Sequence, residues 1–154
     1  MLMIRHPIKQ IAAGIICCAG KVLIAQRRRG KDLEFFWELP GGKLEAGETL
    51  EQCLARELIE EMDLKIKVGK LFMSSVYDYE FGAFQINAFF AECESPEIPK
   101  LCEHEQYKWV NPDEMLAYKF SPADVPIVKA YIESLKKARP SVLFKQRGYF
   151  IPKT

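Results

Sequence analysis

The sequence predicts an α+β fold in which a central mixed β-sheet is flanked by helices on both faces. Segments rich in β-branched and aromatic residues, separated by turn-forming residues, predict several strands. Residues 49–62 contain no Gly or Pro and repeat apolar side chains every fourth residue, which indicates a helix. A second apolar series, near residue 130, indicates another. Because each helix must bury its apolar stripe, we expect the two helices to cover the sheet.

The first half of the chain predicts a hairpin, a loop, a short strand and a helix. Residues 8–18 and 21–26 are predicted to form a β-hairpin around Ala19-Gly20. Residues 30–36 should form a loop, and residues 37–42 a short strand that ends at Pro40 and two glycines. The helix over residues 49–62 has one apolar face, formed by Leu50, Leu54, Leu58 and Met62.

The second half predicts another hairpin, one more strand and two helices. Residues 66–80 and 83–93 form the hairpin, with its turn at Gly82, and a proline-containing loop over residues 94–100 follows. Residues 106–110 read as a strand, and Asn111-Pro112 begins a short helix that ends near residue 118. The last helix starts after Ser121-Pro122, and its predicted apolar face comprises Ile127, Val128, Tyr131, Ile132 and Leu135.

Length and composition indicate one globular domain. The chain has 154 residues, 49% hydrophobic and 28% charged, with a net charge of +1, so no overall field would recruit nucleic acid or an anionic membrane. The five cysteines are odd in number and form no CxxC pair, which argues against a zinc site and a disulfide framework. The longest apolar run, residues 11–19, is too short to cross a bilayer, and no signal-like segment opens the chain. We therefore expect a cytoplasmic protein without a membrane partner.

Charge is distributed unevenly along the chain. Residues 136–154 carry six basic and no acidic side chains, which leaves residues 1–135 with 16 basic against 21 acidic groups, a net charge of −5. We expect a catalytic domain over residues 1–138 and a basic extension over residues 139–154. We expect this extension to be flexible or to dock on the protein, with nucleic-acid binding as the alternative, and we expect no stable nucleic-acid binding.

Three glutamates at helical spacing form the most informative pattern. Glu57, Glu60 and Glu61 lie at positions i, i+3 and i+4, so their carboxylates project from one helix face, beside the apolar stripe. We expect them to line the rim of the core. Because like charges repel unless a cation joins them, and because hard oxygen ligands favour Mg²⁺ or Mn²⁺ over zinc, this face predicts a divalent-metal site. Gly41 and Gly42 let backbone approach a metal or phosphate closely.

Glutamates at such a spacing are commonly just the solvent-exposed face of a helix. The residues around them therefore have to distinguish a metal site from an ordinary exposed face. Six residues at fixed spacing form this array, in the helix and in the segment before it. All six would occur together by chance in only ~10⁻⁷ of sequence windows of this length. These are Gly42, Glu48, Arg56, Glu57, Glu60 and Glu61.

This array resembles the Nudix box, Gly-x5-Glu-x7-Arg-Glu-U-x-Glu-Glu-x-Gly-U with U apolar. Every defining position matches except the late Gly, which is Asp63 here. In the family that Gly follows the catalytic helix, where a left-handed residue is favoured. Asp tolerates that conformation better than most residues, so we expect the helix end to be preserved.

The resemblance extends to the MutT-like branch over about residues 8–135. Trp37-Glu-Leu-Pro-Gly-Gly resembles the strand that leads into the box, Glu103 resembles a later glutamate that reaches the metal, and the segment Ser121-Pro-Ala-Asp-Val-Pro resembles the loop that reads the base. The resemblance implies an α/β/α sandwich and Mg²⁺-dependent attack of water on a nucleoside triphosphate, which releases a monophosphate and pyrophosphate. Oxidised nucleotides such as 8-oxo-dGTP and cytidine-type nucleotides are the implied substrates, so nucleotide-pool sanitation and DNA repair are the implied roles.

The resemblance also assigns roles to individual residues. Glu57, Glu60 and Glu61, with the backbone carbonyl of Gly41, would bind the metal. Glu103 would bind a second metal or act as general base, and the sequence leaves both open.

Further residues would support the ligands or contact the substrate. Arg56 would orient Glu48 or the ligand carboxylates, unless it is a plain surface arginine. Arg27, Gly42 and Lys43 would contact the substrate. Because two more arginines follow Arg27, a solvated basic turn is the alternative there.

Asp124 is the expected specificity residue. A carboxylate accepts hydrogen bonds from a base and donates one only when protonated, so guanine-type and cytosine-type bases both fit. The alternative is that Asp124 caps the last helix. His6 and His104 lack zinc-like spacing and are expected to be structural or exposed, and the alternative for His104, which follows Glu103, is that it touches the site. A stacking surface for the base could come from Phe35, Phe36, Tyr77, Tyr79, Phe81 and Phe84.

Two other functions stay open beside the triphosphate hydrolase, which we expect to be a monomer or homodimer. One is a Nudix hydrolase of a nucleotide sugar, a dinucleoside polyphosphate or a coenzyme. The other is a Nudix-fold module that senses a nucleotide without cutting it. Such modules usually lose box carboxylates, and this chain has all of them.

Overall fold

The computed structural model describes residues 3–138 and contains seven strands, two α-helices and one 3-10 helix. The predicted extension over residues 139–154 lies outside the described residues. The strands are β1 (Ile8–Cys18), β2 (Lys21–Arg27), β3 (Trp37–Glu38), β4 (Gly41–Lys43), β5 (Lys67–Tyr79), β6 (Gly82–Glu92) and β7 (His104–Val110). The helices are α1 (Leu50–Met62) and α2 (Val125–Ala138), and the 3-10 helix spans Pro112–Ala117.

All seven strands belong to one mixed sheet, as the sequence predicts. Its main path runs β3-β2-β1-β6-β5, and β4 and β7 pair with β1 and β2. β1 and β6 are parallel, in a register from Ile8↔Ala83 to Cys17↔Glu92, whereas the other pairs are antiparallel. The fold is therefore α+β, as expected.

A separate apolar cluster fills each face of the sheet. On one face, the buried side chains of α2 pack with those of β1, β2 and β6 around Ile15, Ile24 and Ile127. On the other face, α1 contributes Leu54 and Leu58 to a second cluster. Alternate residues of β1 enter opposite clusters, as the two-residue period of a strand requires. β1 is thus the centre of the molecule, and both helices are fixed against it.

The segment around Pro40 differs from its prediction as one short strand. Trp37–Glu38 pairs with β2, whereas Gly41–Lys43 pairs with β1. Pro40 separates the two pieces, and its carbonyl accepts a hydrogen bond from Gly14 N at 2.8 Å. A Cβ atom at Gly41 would collide with the Ala12 carbonyl, so glycine is what allows this second pairing.

Helix α1 begins and ends as its sequence indicates. Thr49 Oγ1 accepts a hydrogen bond from Gln52 N, and Gln52 Oε1 accepts one from Thr49 N, which together form a capping box. At the other end Asp63 is left-handed, with φ 50° and ψ 37°, and its N–H donates to the Ile59 carbonyl. The expectation that Asp63 replaces glycine in this conformation is confirmed.

The two hairpins and the last helix also match their predictions, while the short helix after Asn111 is 3-10 rather than α. Within residues 3–138, no helix is long and apolar enough to span a membrane.

Candidate metal and nucleotide site

A cleft of about 1020 Å³ opens beside β4 and the adjoining face of α1. Its wall comes from separate parts of the chain, which include β1, the β2–β3 loop, the double glycine, α1, the β5–β6 turn and the segments around the starts of β7 and α2. The predicted site residues that line it are Arg27, Gly41, Gly42, Lys43, Glu57, Glu60, Glu61, Glu103 and Asp124. The fold therefore brings together residues that are far apart in sequence.

Glu57 lies against the double glycine. A Cβ atom at Gly42 would overlap the Glu57 carboxylate, so a residue with a side chain cannot occupy position 42 unless Glu57 moves. The Glu57 side chain is 15% exposed, whereas that of Glu60 is 56% exposed. All three carboxylates line the cleft, and Glu60 lies at its more solvent-exposed side.

Glu61 is the most perturbed carboxyl group of the helix. Burial, reinforced by hydrogen bonding to and repulsion by Glu57, raises the pKa of Glu61 to about 9. Its Oε2 atom is buried and has no hydrogen-bond partner among the described residues. Glu38 and Glu103 add repulsion from across the cleft. A cation between these groups would relieve both the repulsion and the unsatisfied oxygen.

The side chains as they stand do not yet form a complete metal cage. Within residues 3–138 no group of three or more His, Cys, Asp and Glu side chains has the arrangement that holds an ion. The donor set nevertheless fits a hard divalent cation, because the groups that converge on Glu61 are the carboxylates of Glu57, Glu38 and Glu103. In this arrangement the Arg56 guanidinium offsets part of the negative charge through its contacts with Glu57 and Glu60.

Arg56 connects the carboxylates of the helix with the loop before it. Its guanidinium binds Glu48 through two hydrogen bonds, of 2.7 and 3.0 Å. The same group donates to Glu57 at 3.0 Å, to Glu60 at 2.9 Å and to the Lys43 carbonyl at 3.2 Å. Hydrogen bonds from Arg56 lower the pKa of Glu48 to about 2, so this pair is ionised at neutral pH. Arg56 therefore has the contacts of a residue that orients ligands.

Arg27, Glu38 and His104 form a chain on the opposite wall. Arg27 Nη1 donates to Glu38 Oε1 at 3.1 Å, and Glu38 Oε2 lies 2.8 Å from His104 Nε2. Burial alone would raise the pKa of Glu38, but hydrogen bonds and charges of His104 and Arg27 outweigh it and lower the value. Of the three consecutive arginines, Arg27 lines the cleft, whereas the next two are exposed.

His104 lines the cleft, which was the less expected alternative for this residue. It is buried and leaves Nδ1 without a partner among the described residues. Its position follows from the pairing of Arg27 with His104, which no local pattern reveals. His6 lies elsewhere, 2.6 Å from Asp78.

Asp124 lies at the floor of the cleft and is bound to strand residues. Its Oδ2 accepts a hydrogen bond from Leu39 N at 2.7 Å, while its backbone carbonyl accepts from Val128 N. The carboxylate therefore binds the Trp37–Leu39 segment. This contact is not a cap of α2, which was the alternative role expected for Asp124. Burial, together with the charge of Glu38, raises the pKa of Asp124 to about 8.

Aromatic side chains from the β5–β6 turn form one side of the cleft. Tyr79 and Phe81 stack with centroids 4.9 Å apart and an interplanar angle of 10°, and Phe84 lies 5.9 Å from Phe81. The Tyr79 hydroxyl accepts a hydrogen bond from Ala123 N at 2.9 Å, which joins this wall to the Asp124 loop. Phe35 and Phe36 contact the cations Arg29 and Lys119 instead, and neither lines the cleft.

Sequence reasoning did not assign Glu38, Lys31 or Ser121 to the site, although all three line this cleft. Neither Glu38 nor Lys31 is a defining position of the Nudix box, although Glu38 lies within the Trp37–Gly42 segment that precedes it. Ser121 is buried, with an Oγ atom that has no partner among the described residues. Its position at the start of the Ser121-Pro-Ala-Asp-Val-Pro segment could have indicated that it lies in the cleft.

Comparisons with known proteins give one consistent result. A family model described as NUDIX domain matches residues 8–131. The chain is 33% identical to the CTP pyrophosphohydrolase of Escherichia coli K12 over 132 residues, which is 86% of this chain and 96% of that protein. It is also 33% identical to the 8-oxo-dGTP diphosphatase of Haemophilus influenzae over 125 residues, 77% of this chain and 88% of the relative.

Solved structures share this architecture. The solution structure of the E. coli ORF135 protein superposes with a TM-score of 0.71 at 32% identity, and the alignment covers 88% of this chain and 96% of that one. The crystal structure of a MutT protein from Methanosarcina mazei Go1 gives a TM-score of 0.77, and its coverage is 88% and 99%. At 21% identity the second match supports the fold alone.

Proposed function

This chain belongs to the NUDIX domain family, and from that premise we propose that it hydrolyses (deoxy)nucleoside triphosphates to a monophosphate and pyrophosphate with a divalent cation, Mg²⁺ or Mn²⁺. The observation that carries the proposal is the contact between Glu57 and Gly42, with Glu61 buried beside it and Arg56 on its other side. The named relatives act on CTP and 8-oxo-dGTP, which supports a triphosphate substrate.

The candidate ligands of the cation are Glu57, Glu60 and Glu61, the Gly41 carbonyl and Glu103. When bound, a divalent cation neutralises charge on phosphate oxygens and makes water a better nucleophile at neutral pH. To bind the cation, Glu61 would have to be ionised, and Glu60 would have to turn from its exposed position. Arg56 would hold Glu48 and Glu57 in place meanwhile, through contacts of 2.7 to 3.0 Å.

Two residues are candidates for the proton acceptor of the hydrolysis. Glu61 is buried beside Glu57, and it would act as general base only where it does not itself bind the cation. Glu103 lies at the mouth of the cleft, where Lys31 lowers its pKa.

The base of the nucleotide is proposed to lie between the aromatic wall and Asp124. Tyr79, Phe81 and Phe84 offer ring faces for stacking. Asp124 remains protonated at neutral pH, so it offers both a hydrogen-bond donor and an acceptor. A cytosine or an oxidised guanine presents complementary groups along its edge. Arg27 and Lys43 are proposed phosphate contacts.

A substrate panel tests this proposal. Canonical and oxidised NTPs and dNTPs, nucleotide sugars and dinucleoside polyphosphates are incubated with Mg²⁺, and the products are separated by anion exchange. We expect a monophosphate and pyrophosphate from triphosphates, with loss of at least about 100-fold in kcat in Glu57→Gln and Glu61→Gln. Glu97→Gln is the matched control, because Glu97 is exposed and outside the cleft. Turnover of nucleotide sugars alone, or full activity in both cleft variants, would refute the proposal.

A further inference from the structure

Lys31 forms an ion pair with one of the candidate metal ligands. Its Nζ donates to Glu103 Oε2 at 2.7 Å, and both side chains are 45% exposed. Both residues line the cleft. Exposed pairs of this kind contribute little to stability, so the contact can be exchanged for a better one at small cost.

The backbone that carries Lys31 is held in a defined shape. Lys31 N donates to the Arg28 carbonyl at 3.3 Å, and Arg27 Nε donates to the Asp32 carbonyl at 2.6 Å. Leu33 and Phe35 both adopt positive φ, of 58° and 64°, which bulky residues tolerate only where the surrounding contacts determine the backbone. The β2–β3 loop therefore presents Lys31 to the cleft from a fixed position.

Pairing of β2 with β7 explains why the two charges meet. Arg27 is the register partner of His104, so the loop that follows β2 lies beside the residue that precedes β7. A second contact, from Arg29 N to Glu105 Oε1 at 3.2 Å, connects the same two segments. The pair is thus a consequence of sheet topology rather than of two long side chains meeting by chance.

The same carboxylate cannot serve Lys31 and a divalent cation equally well. When Glu103 turns to the cation, Lys31 loses its counter-charge while it still faces the cleft. Other cations of the cleft have different neighbours: Arg27 binds Glu38, and Lys9 and Lys43 each lie 6.0 Å from the Phe84 ring centroid. A polyphosphate is the anion that enters at that moment.

We propose that Lys31 is a phosphate-binding residue, which the free protein keeps paired with Glu103 and which transfers to the substrate's polyphosphate when Glu103 binds the metal. This inference rests on the proposed function. The exchange is non-covalent, and the lysine remains an ammonium throughout. Lys31 would in this way link metal binding to phosphate binding.

Two binding measurements on Lys31→Met distinguish this role from a structural one. Mn²⁺ binding to the nucleotide-free protein is followed by electron paramagnetic resonance. Binding of a dNTP analogue with an imido bridge between the α and β phosphorus atoms is followed by calorimetry at saturating Mn²⁺. We expect Mn²⁺ to bind about threefold more tightly, because it no longer displaces Lys31. The analogue should bind roughly tenfold more weakly, because a charged contact is lost.

Lys31→Arg should restore analogue binding to within about threefold of wild type, because the charge remains. Lys70→Met is the matched control and should change neither affinity, since Lys70 is exposed on β5 and outside the cleft.

The outcomes separate the possible roles. Weakening of both ligands in Lys31→Met would indicate a structural role and overturn the inference, and so would tighter Mn²⁺ binding with unchanged analogue binding. If wild type hydrolyses triphosphates and Lys31→Met matches Lys70→Met, the inference alone fails. If wild type neither binds nor hydrolyses any triphosphate, the proposed function fails, and the phosphate role of Lys31 fails with it.

Discussion

The Asp124 side chain is buried and accepts a hydrogen bond from the backbone. These two features determine which hydrogen-bonding groups it presents to a nucleotide base. Because the environment raises its pKa to about 8, the group is protonated at neutral pH and ionises as the pH rises further. An asparagine has the same shape and the same pair of donor and acceptor groups at every pH. The Leu39 N–H would keep its acceptor in such a variant.

We therefore predict that Asp124→Asn keeps kcat/KM at pH 7 within about fivefold of wild type, and that Asp124→Ala loses roughly tenfold or more. In wild type, kcat/KM should fall as the pH rises through about 8, since the donor is lost with the proton. Asp124→Asn should lack this decrease. A pH profile between 6 and 9.5 checks both, and the same alkaline decrease in Asp124→Asn would show that another group titrates there.

Arg56 donates hydrogen bonds to the carboxylates of Glu48, Glu57 and Glu60, so its geometry matters as much as its charge. Arg56→Lys retains one positive charge and loses the two-bond contact with Glu48. We predict a loss of about 10- to 100-fold in Mn²⁺ affinity, the usual cost of removing a residue that orients ligands. Titration of Mn²⁺ measures it, with Lys70→Met as reference. Unchanged affinity would place Arg56 among ordinary surface residues.

At the scale of elements, α1 depends on its two ends. Thr49 and Gln52 satisfy the first free N–H groups, and Asp63 ends the helix in a conformation that costs a residue with a side chain about 1 kcal/mol. The carboxylates lie in the last two turns of this helix. The C-terminal end of α1 therefore positions the candidate metal ligands and also sets the direction of the chain that follows.

We predict that Thr49→Ala lowers the free energy of unfolding by about 1 kcal/mol. Asp63→Gly should raise it by up to about 1 kcal/mol, because glycine adopts a positive φ without strain. Urea unfolding measures both, and Asp63→Val should destabilise. A destabilised Asp63→Gly would mean that the aspartate side chain makes a compensating interaction.

An element can be predicted from the sequence when residues close together in the chain determine it. The helix α1, its end at Asp63 and the carboxylate face could be predicted because residues three or four apart determine them. The Arg27–Glu38–His104 chain could not, since it joins β2, β3 and β7 through a register that shifts between Gln26 and Arg27. The division at Pro40 was missed for the same reason: pairing with β1 depends on space at Ala12, which only the folded sheet defines.

At the scale of the whole molecule, the acidic cleft couples stability to pH and to metal. Glu61 has a folded-state pKa of about 9, against about 4.3 for an unperturbed glutamate. Between these values the native state holds a proton that the unfolded state has released. Stability without metal must therefore fall as the pH rises from about 5 to about 9.

We predict that Mn²⁺ raises the Tm of the wild-type protein more at pH 8.5 than at pH 5.5, because it takes the place of the Glu61 proton. Glu61→Gln should have a flatter dependence of metal-free stability on pH and a smaller shift with Mn²⁺. Differential scanning calorimetry with and without a chelator measures both. Equal pH slopes in the two proteins would assign the titration to another group, such as Asp124.

The parallel pairing of β1 with β6 also has a kinetic consequence. Register partners such as Ile8 and Ala83 are 75 positions apart, so this central ladder can form only after a long stretch of chain has closed on itself. Helix α1 can nucleate early from neighbouring residues, but its glutamates meet the other walls only once that closure is complete. During refolding, competence to bind Mn²⁺ should consequently lag behind the recovery of helical signal.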